Sequence, residues 1–112
     1  MHLVTIEQAR QHCRTEAHDD ELLTVYVDAA EDAAQQFLNR RVYADADALA
    51  AAVLDGSAGD DQMVLTDSVR AAVLLIAGHL YRNREDVTAE NVRELPMGAH
   101  SLLWPYRIGL GV

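Results

Sequence analysis

The run from Val69 to Ala77 constrains this chain more than any other stretch. It reads Val-Arg-Ala-Ala-Val-Leu-Leu-Ile-Ala, and Arg70 is its one polar residue. A helix that is apolar on nearly all sides has no face to offer to water, so it belongs at the centre of a bundle. Thr66 stands where an N-cap would, and the pattern predicts a helix over residues 67–83. Gly78 inside it costs about 1 kcal/mol relative to Ala. A glycine at such a position suits close approach by a neighbouring helix. His79 reads as a core-edge histidine bonded to a carbonyl, with a subunit-interface contact as the alternative. The apolar run over residues 71–77 is far short of the roughly 20 residues that cross a bilayer. It is a core element, not a membrane span.

A buried helix needs others around it, and the remaining sequence supplies them. Thr5-Ile6-Glu7-Gln8 has the form of a capping box and opens a short helix over residues 6–13. Asp19, Asp20 and Glu21 open the longest helix, residues 19–39, where carboxylates complement the positive helix end. Leu22, Leu23, Tyr26, Val27, Ala30, Ala33, Ala34, Phe37 and Leu38 recur at spacings of three and four, which makes one broad stripe. Asp28, Glu31, Asp32, Gln35 and Gln36 fall largely on the other side. Asp45 or Asp47 caps an Ala-rich helix over residues 46–54. An acidic, Gly-containing loop over residues 55–61 follows. Near the end, Pro105 stops a short helix over residues 98–104. That tail holds the lone Trp and is too apolar to hang in water, so it docks on its own body or on a neighbour. Strand signals are weak. No alternating run of Val, Ile, Thr and aromatics is joined by Asn-Gly or Asp-Gly. The expected fold is all-α: one domain over residues 1–112, a small bundle of four main helices plus a short C-terminal helix.

Charge narrows the functions open to such a bundle. The chain has 112 residues, nine Arg, eighteen Asp plus Glu and no Lys, for a formal charge of −9. A stable grip on nucleic acid requires cations at phosphates, and there are too few here to cover a large surface. DNA that slides past without sticking is compatible with the acidity. The charge is also lopsided. Residues 1–67 hold fourteen acids and four Arg, a balance of −10, whereas residues 68–112 hold four acids and five Arg, a balance of +1. Such a division suits side-by-side or stacked assembly. Cys13 is the lone cysteine, which excludes an intrachain disulfide and fits a reducing compartment. No basic region followed by an apolar stretch marks the N-terminus, so the chain reads as soluble and intracellular.

No motif points to chemistry. His2, His12, Cys13 and His18 lie near one another in sequence but lack the paired spacing of zinc sites. Counting from Asp55, a calcium loop would need Gly at Asp60 and Glu at Thr66. Neither a Gly-x-Ser-x-Gly elbow nor a phosphate-binding Gly loop is present. No catalytic, cofactor-binding or metal-ligating residue is therefore nominated.

Four segments, in this order, carry a resemblance. Val4-Thr5-Ile6-Glu7-Gln8-Ala9-Arg10 leads to Asp19-Asp20-Glu21-Leu22-Leu23. Phe37-Leu38-Asn39-Arg40-Arg41 ends the long helix. Val73-Leu74-Leu75-Ile76-Ala77-Gly78-His79-Leu80-Tyr81-Arg82-Asn83-Arg84-Glu85 is the most telling segment. Glu94-Leu95-Pro96-Met97-Gly98-Ala99 leads to Leu102-Leu103-Trp104-Pro105-Tyr106-Arg107. Together they resemble the head–tail connector proteins of long-tailed bacteriophages and prophages. Residues 45–61 depart from the family pattern in being long, Ala-rich and acidic.

The resemblance implies a structural virion protein and no enzyme. Subunits of that family form a homo-oligomeric ring of about a dozen copies below the portal protein. The ring extends the DNA channel, lets DNA pass without sequence-specific binding, and gives tail-completion and head-closure proteins a platform. It implies a place in the virion neck after assembly in the bacterial cytoplasm, with no membrane contact and no cofactor. Two site expectations follow. Arg82, Arg84, Leu102, Leu103, Trp104, Tyr106 and Arg107 are expected at protein interfaces, where aromatics and Arg are enriched and Arg forks pair with carboxylates of an adjacent acidic half. Asp55, Asp60 and Asp61 are expected to face the channel. The alternative class is a small acidic helical adaptor or regulator that binds one cellular protein.

Overall fold

The computed structural model describes residues 3–14, 20–57, 62–82 and 96–108. Arg84, Asp60 and Asp61 lie outside them. The order is α1 (Ile6–Cys13), α2 (Asp20–Leu38), β1 (Val42–Tyr43), α3 (Ala46–Asp55), β2 (Met63–Val64), α4 (Asp67–Arg82) and α5 (Met97–Leu103), then a 3₁₀ turn, Trp104–Tyr106. The fold is all-α apart from the two short strands.

Local chemistry explains where the helices begin and stop. Gln8 N donates to Thr5 Oγ1 at 3.1 Å, and Thr5 N donates to Gln8 Oε1 at 3.0 Å. This reciprocal box satisfies two otherwise orphaned donors. Arg14 ends α1 in the left-handed region at φ 57°. The Arg10 guanidinium pairs with Asp20 in the first turn of α2, its Nε donating to Oδ1 at 2.8 Å. Asp45 caps α3 through Ala48 N at 2.8 Å, and Gly56 closes it at φ 80°. Thr66 Oγ1 accepts from Val69 N at 3.2 Å and so caps α4.

Helix α4 is the central element. It buries Val69, Ala72, Val73, Ile76, Ala77, Gly78 and Leu80, and it contacts α1, α2 and α5. Against it α2 buries Leu23, Val27, Ala30, Ala34 and Leu38. Ala30, Ala34, Ala72 and Ala77 are all fully buried in this core. At Gly78 a Cβ would lie 2.9 Å from His12 Nε2. The close approach expected there is therefore made by one imidazole of α1.

Two features were not legible in the sequence. The first is a two-stranded parallel sheet, with Val42 opposite Met63 and Tyr43 opposite Val64. Met63 N donates to Arg41 O at 3.0 Å and Leu65 N to Tyr43 O at 2.7 Å. Strands of two residues carry no alternation to read, and α3 serves as the crossover between them. The second is Glu31. It does not share the solvated side of α2 with Asp28 and Asp32. It is 4% exposed, and its Oε2 accepts from Leu3 N at 2.8 Å and Val4 N at 3.2 Å. A buried carboxylate thus anchors the segment that leads into α1.

Candidate assembly surfaces

The C-terminal turn is fastened to the end of α2. A helix leaves its last carbonyls without partners, and here the tail supplies donors. Arg107 Nε donates to Phe37 O at 2.9 Å, and Ile108 N donates to Leu38 O at 2.9 Å. Asn39, left-handed at φ 57°, returns its Nδ2 to Ile108 O at 2.7 Å. Arg40 reaches Tyr106 O at 3.3 Å and Gln62 O at 3.2 Å, which ties the tail to the segment before β2.

That clasp divides the tail's apolar residues. Leu103 and Ala99 are fully buried in the molecule's own core. Leu102 and Tyr106 are half-buried against it. Trp104 is 56% exposed and Met97 83% exposed. The indole is nonetheless held in place. His100 stacks on it with centroids 5.6 Å apart and planes at 15°. Phe37 lies 4.9 Å from His100 and 6.4 Å from Trp104. The Arg107 guanidinium sits over both Phe37 (4.9 Å) and Trp104 (5.6 Å). Contacts of this kind fix the rings, and Trp104 still keeps much of its surface in solvent. Arg107 was anticipated for its type. Met97, His100 and Phe37 were not, because only the folded tail brings them together.

A second exposed surface lies on α3. Ala52 is its one buried residue. Leu54 is 89% exposed and Val53 55% exposed. With exposed Ala46 and Ala50 they recur at i, i+4, i+7 and i+8, a stripe along one helix face. Asp55 is exposed at its end, and hydrogen bonding by Ser57, through its side chain first and then its N at 2.8 Å, holds the carboxyl below the usual range.

Arg82 is exposed on the last turn of α4. Its charge reaches the last turn of α1. Burial, helped by Arg82, lowers the His12 pKa. Burial raises the Cys13 thiol, with Arg82 opposing it.

No three His, Cys, Asp or Glu side chains among the described residues converge on a metal position. An open cleft of 680 Å³ lies between the end of α2 and β1, flanked by Asp32, Gln35, Arg40, Arg41 and Tyr43. No histidine, serine or cysteine lines it. The Tyr43 hydroxyl beside it is buried and has no hydrogen-bond partner among the described residues. No described helix is long and apolar enough to cross a membrane.

The described surface is thus helical and turns apolar side chains outward on α3 and on the tail. Comparison with known families adds to this. The model of the phage gp6-like head–tail connector proteins matches residues 3–107, nearly the whole chain. The chain belongs to that family. It is thus a structural connector component of a phage virion, in a family that assembles with other virion proteins such as portal and tail proteins. No curated protein and no solved structure matches it.

Proposed function

We propose that the chain is one subunit of a homo-oligomeric ring of about a dozen copies in the virion neck. The ring sits below the portal, extends the DNA channel and receives the tail-completion and head-closure proteins. The observation that carries this reading is the connector-family match over residues 3–107. The physical features agree with it. Exposed apolar surfaces need partners. A net charge of −9 repels phosphate, so DNA moves past without adhering. Asp55, Asp60 and Asp61 are the acids assigned to the channel wall. Arg82, Arg84 and the outward parts of the tail are assigned to contacts between proteins. The ring assembles in the host cytoplasm and catalyses nothing.

Electron microscopy of the concentrated protein, alone and with its portal, tests the ring. A closed ring on the portal is expected, and a strict one-to-one complex with a cellular protein would overturn it. The channel assignment is tested separately by Asp60→Lys with Asp61→Lys in the parent phage. Slowed DNA ejection is expected, and normal ejection removes the electrostatic part.

A further inference from the structure

We propose that the outward stripe of α3 docks on the Trp104 platform of a second copy of the chain. This rests on the reading that copies assemble side by side, and it names the two surfaces that meet. The stripe is Ala46, Ala50, Val53 and Leu54. The platform is Met97, His100, Trp104 and Arg107. Both are exposed.

Charge selects the pairing. Residues 42–69 contain six acids and no Arg, Lys or His. Residues 95–112 contain no acid and carry His100 and Arg107. Stripe against stripe would oppose Asp47, which flanks it beside Ala46, to its own copy. Platform against platform would oppose Arg107 to Arg107. Only the crossed arrangement sets carboxylate against guanidinium, and like charges in apposition are costly. Arg107 uses Nε on Phe37 O, which leaves its outer nitrogens for Asp47 of the neighbour.

Shape agrees with charge. Ala46 and Ala50 have short side chains, so a flat indole can approach the α3 backbone. Val53 and Leu54 give it an apolar wall. The platform is already ordered by the His100 stack and the Arg107 contacts, so little side-chain freedom is lost on docking. Two different surfaces that complement each other make a head-to-tail contact. Such contacts propagate around a ring and do not stop at a dimer.

Leu54→Asp and Met97→Asp test this directly. Both side chains project into solvent, and far-UV circular dichroism checks that each variant folds. Each variant keeps one intact surface. Neither should self-associate, and an equimolar mixture should form heterodimers and nothing larger in sedimentation. A mixture that behaves like its separate components overturns the proposal. Weak contacts are captured by Leu54→Cys with Met97→Cys in a Cys13→Ser background. Mild oxidation should give a ladder of linked chains, whereas either single-cysteine variant stops at dimers. A ring on the portal without a 54–97 link overturns this pairing and leaves the connector reading intact. Neither ring nor link removes both.

Discussion

Replacing Glu31 by Ala should destabilise the fold more than most single changes can. Glu31 is 4% exposed, and one oxygen accepts from both Leu3 N and Val4 N. Alanine leaves both donors in a buried site without an acceptor. Each unsatisfied donor costs about 1–3 kcal/mol. Relaxation of the N-terminal segment recovers part, so about 3–4 kcal/mol is expected for the pair. A domain of this size has about 5–15 kcal/mol in total. Glu31→Gln separates charge from hydrogen bonding. An amide oxygen can take the place of the carboxylate oxygen, and neutral bonds are roughly half as strong as charge-assisted ones. About 1–2 kcal/mol is expected for that variant. Urea unfolding followed by circular dichroism gives both values. A loss below about 1 kcal/mol for the Ala variant would refute the anchoring role. So would equal losses for Ala and Gln.

Three further outcomes follow from the same geometry. Gly78→Ala in a His12→Ala background should stabilise α4 by about 1 kcal/mol through helix propensity. With His12 present the new Cβ meets the imidazole, so that gain shrinks or reverses, and a double-mutant cycle measures the coupling. The folded-state pKa of His12 lies below its ordinary 6.5, first through burial and then through Arg82. The unfolded chain therefore binds the proton more readily. The His12 contribution is complete above about 6.5 and falls as pH drops toward the folded-state value. His12→Gln should flatten that part of the stability–pH curve, and Arg82→Ala should reduce it. Thr5→Ala removes the α1 cap and should cost about 1 kcal/mol in denaturant titration.

The helical plan was readable because it obeys local rules. Thr5, Asp45 and Thr66 cap because a short side-chain oxygen can reach an early helical N–H. The stripe on α2 and the apolar run of α4 mark core faces through spacing alone. The candidate surfaces were readable only in part. Trp104 and Arg107 stand out by residue type. The stripe on α3 also has helical spacing, but spacing does not say which face of an Ala-rich helix turns outward. Leu103 and Trp104 are adjacent and equally apolar in sequence. The clasp at Phe37 O and Leu38 O turns one inward and leaves the other half in solvent.

The amino-acid order by itself determined the all-helical class, the central place of α4 and the caps, since each depends on residues within a turn or two of one another. Tertiary structure alone decided the pairing of Val42 with Met63, the burial of Glu31 against Leu3 and Val4, and the stack of His100, Trp104 and Arg107 beside Phe37. These join groups about 20 to 70 residues apart. Their partners are backbone atoms, which every residue type offers, or rings far away in the sequence, so no local pattern announces them. They arise only where packed helices bring chain ends and loops into the same few ångströms.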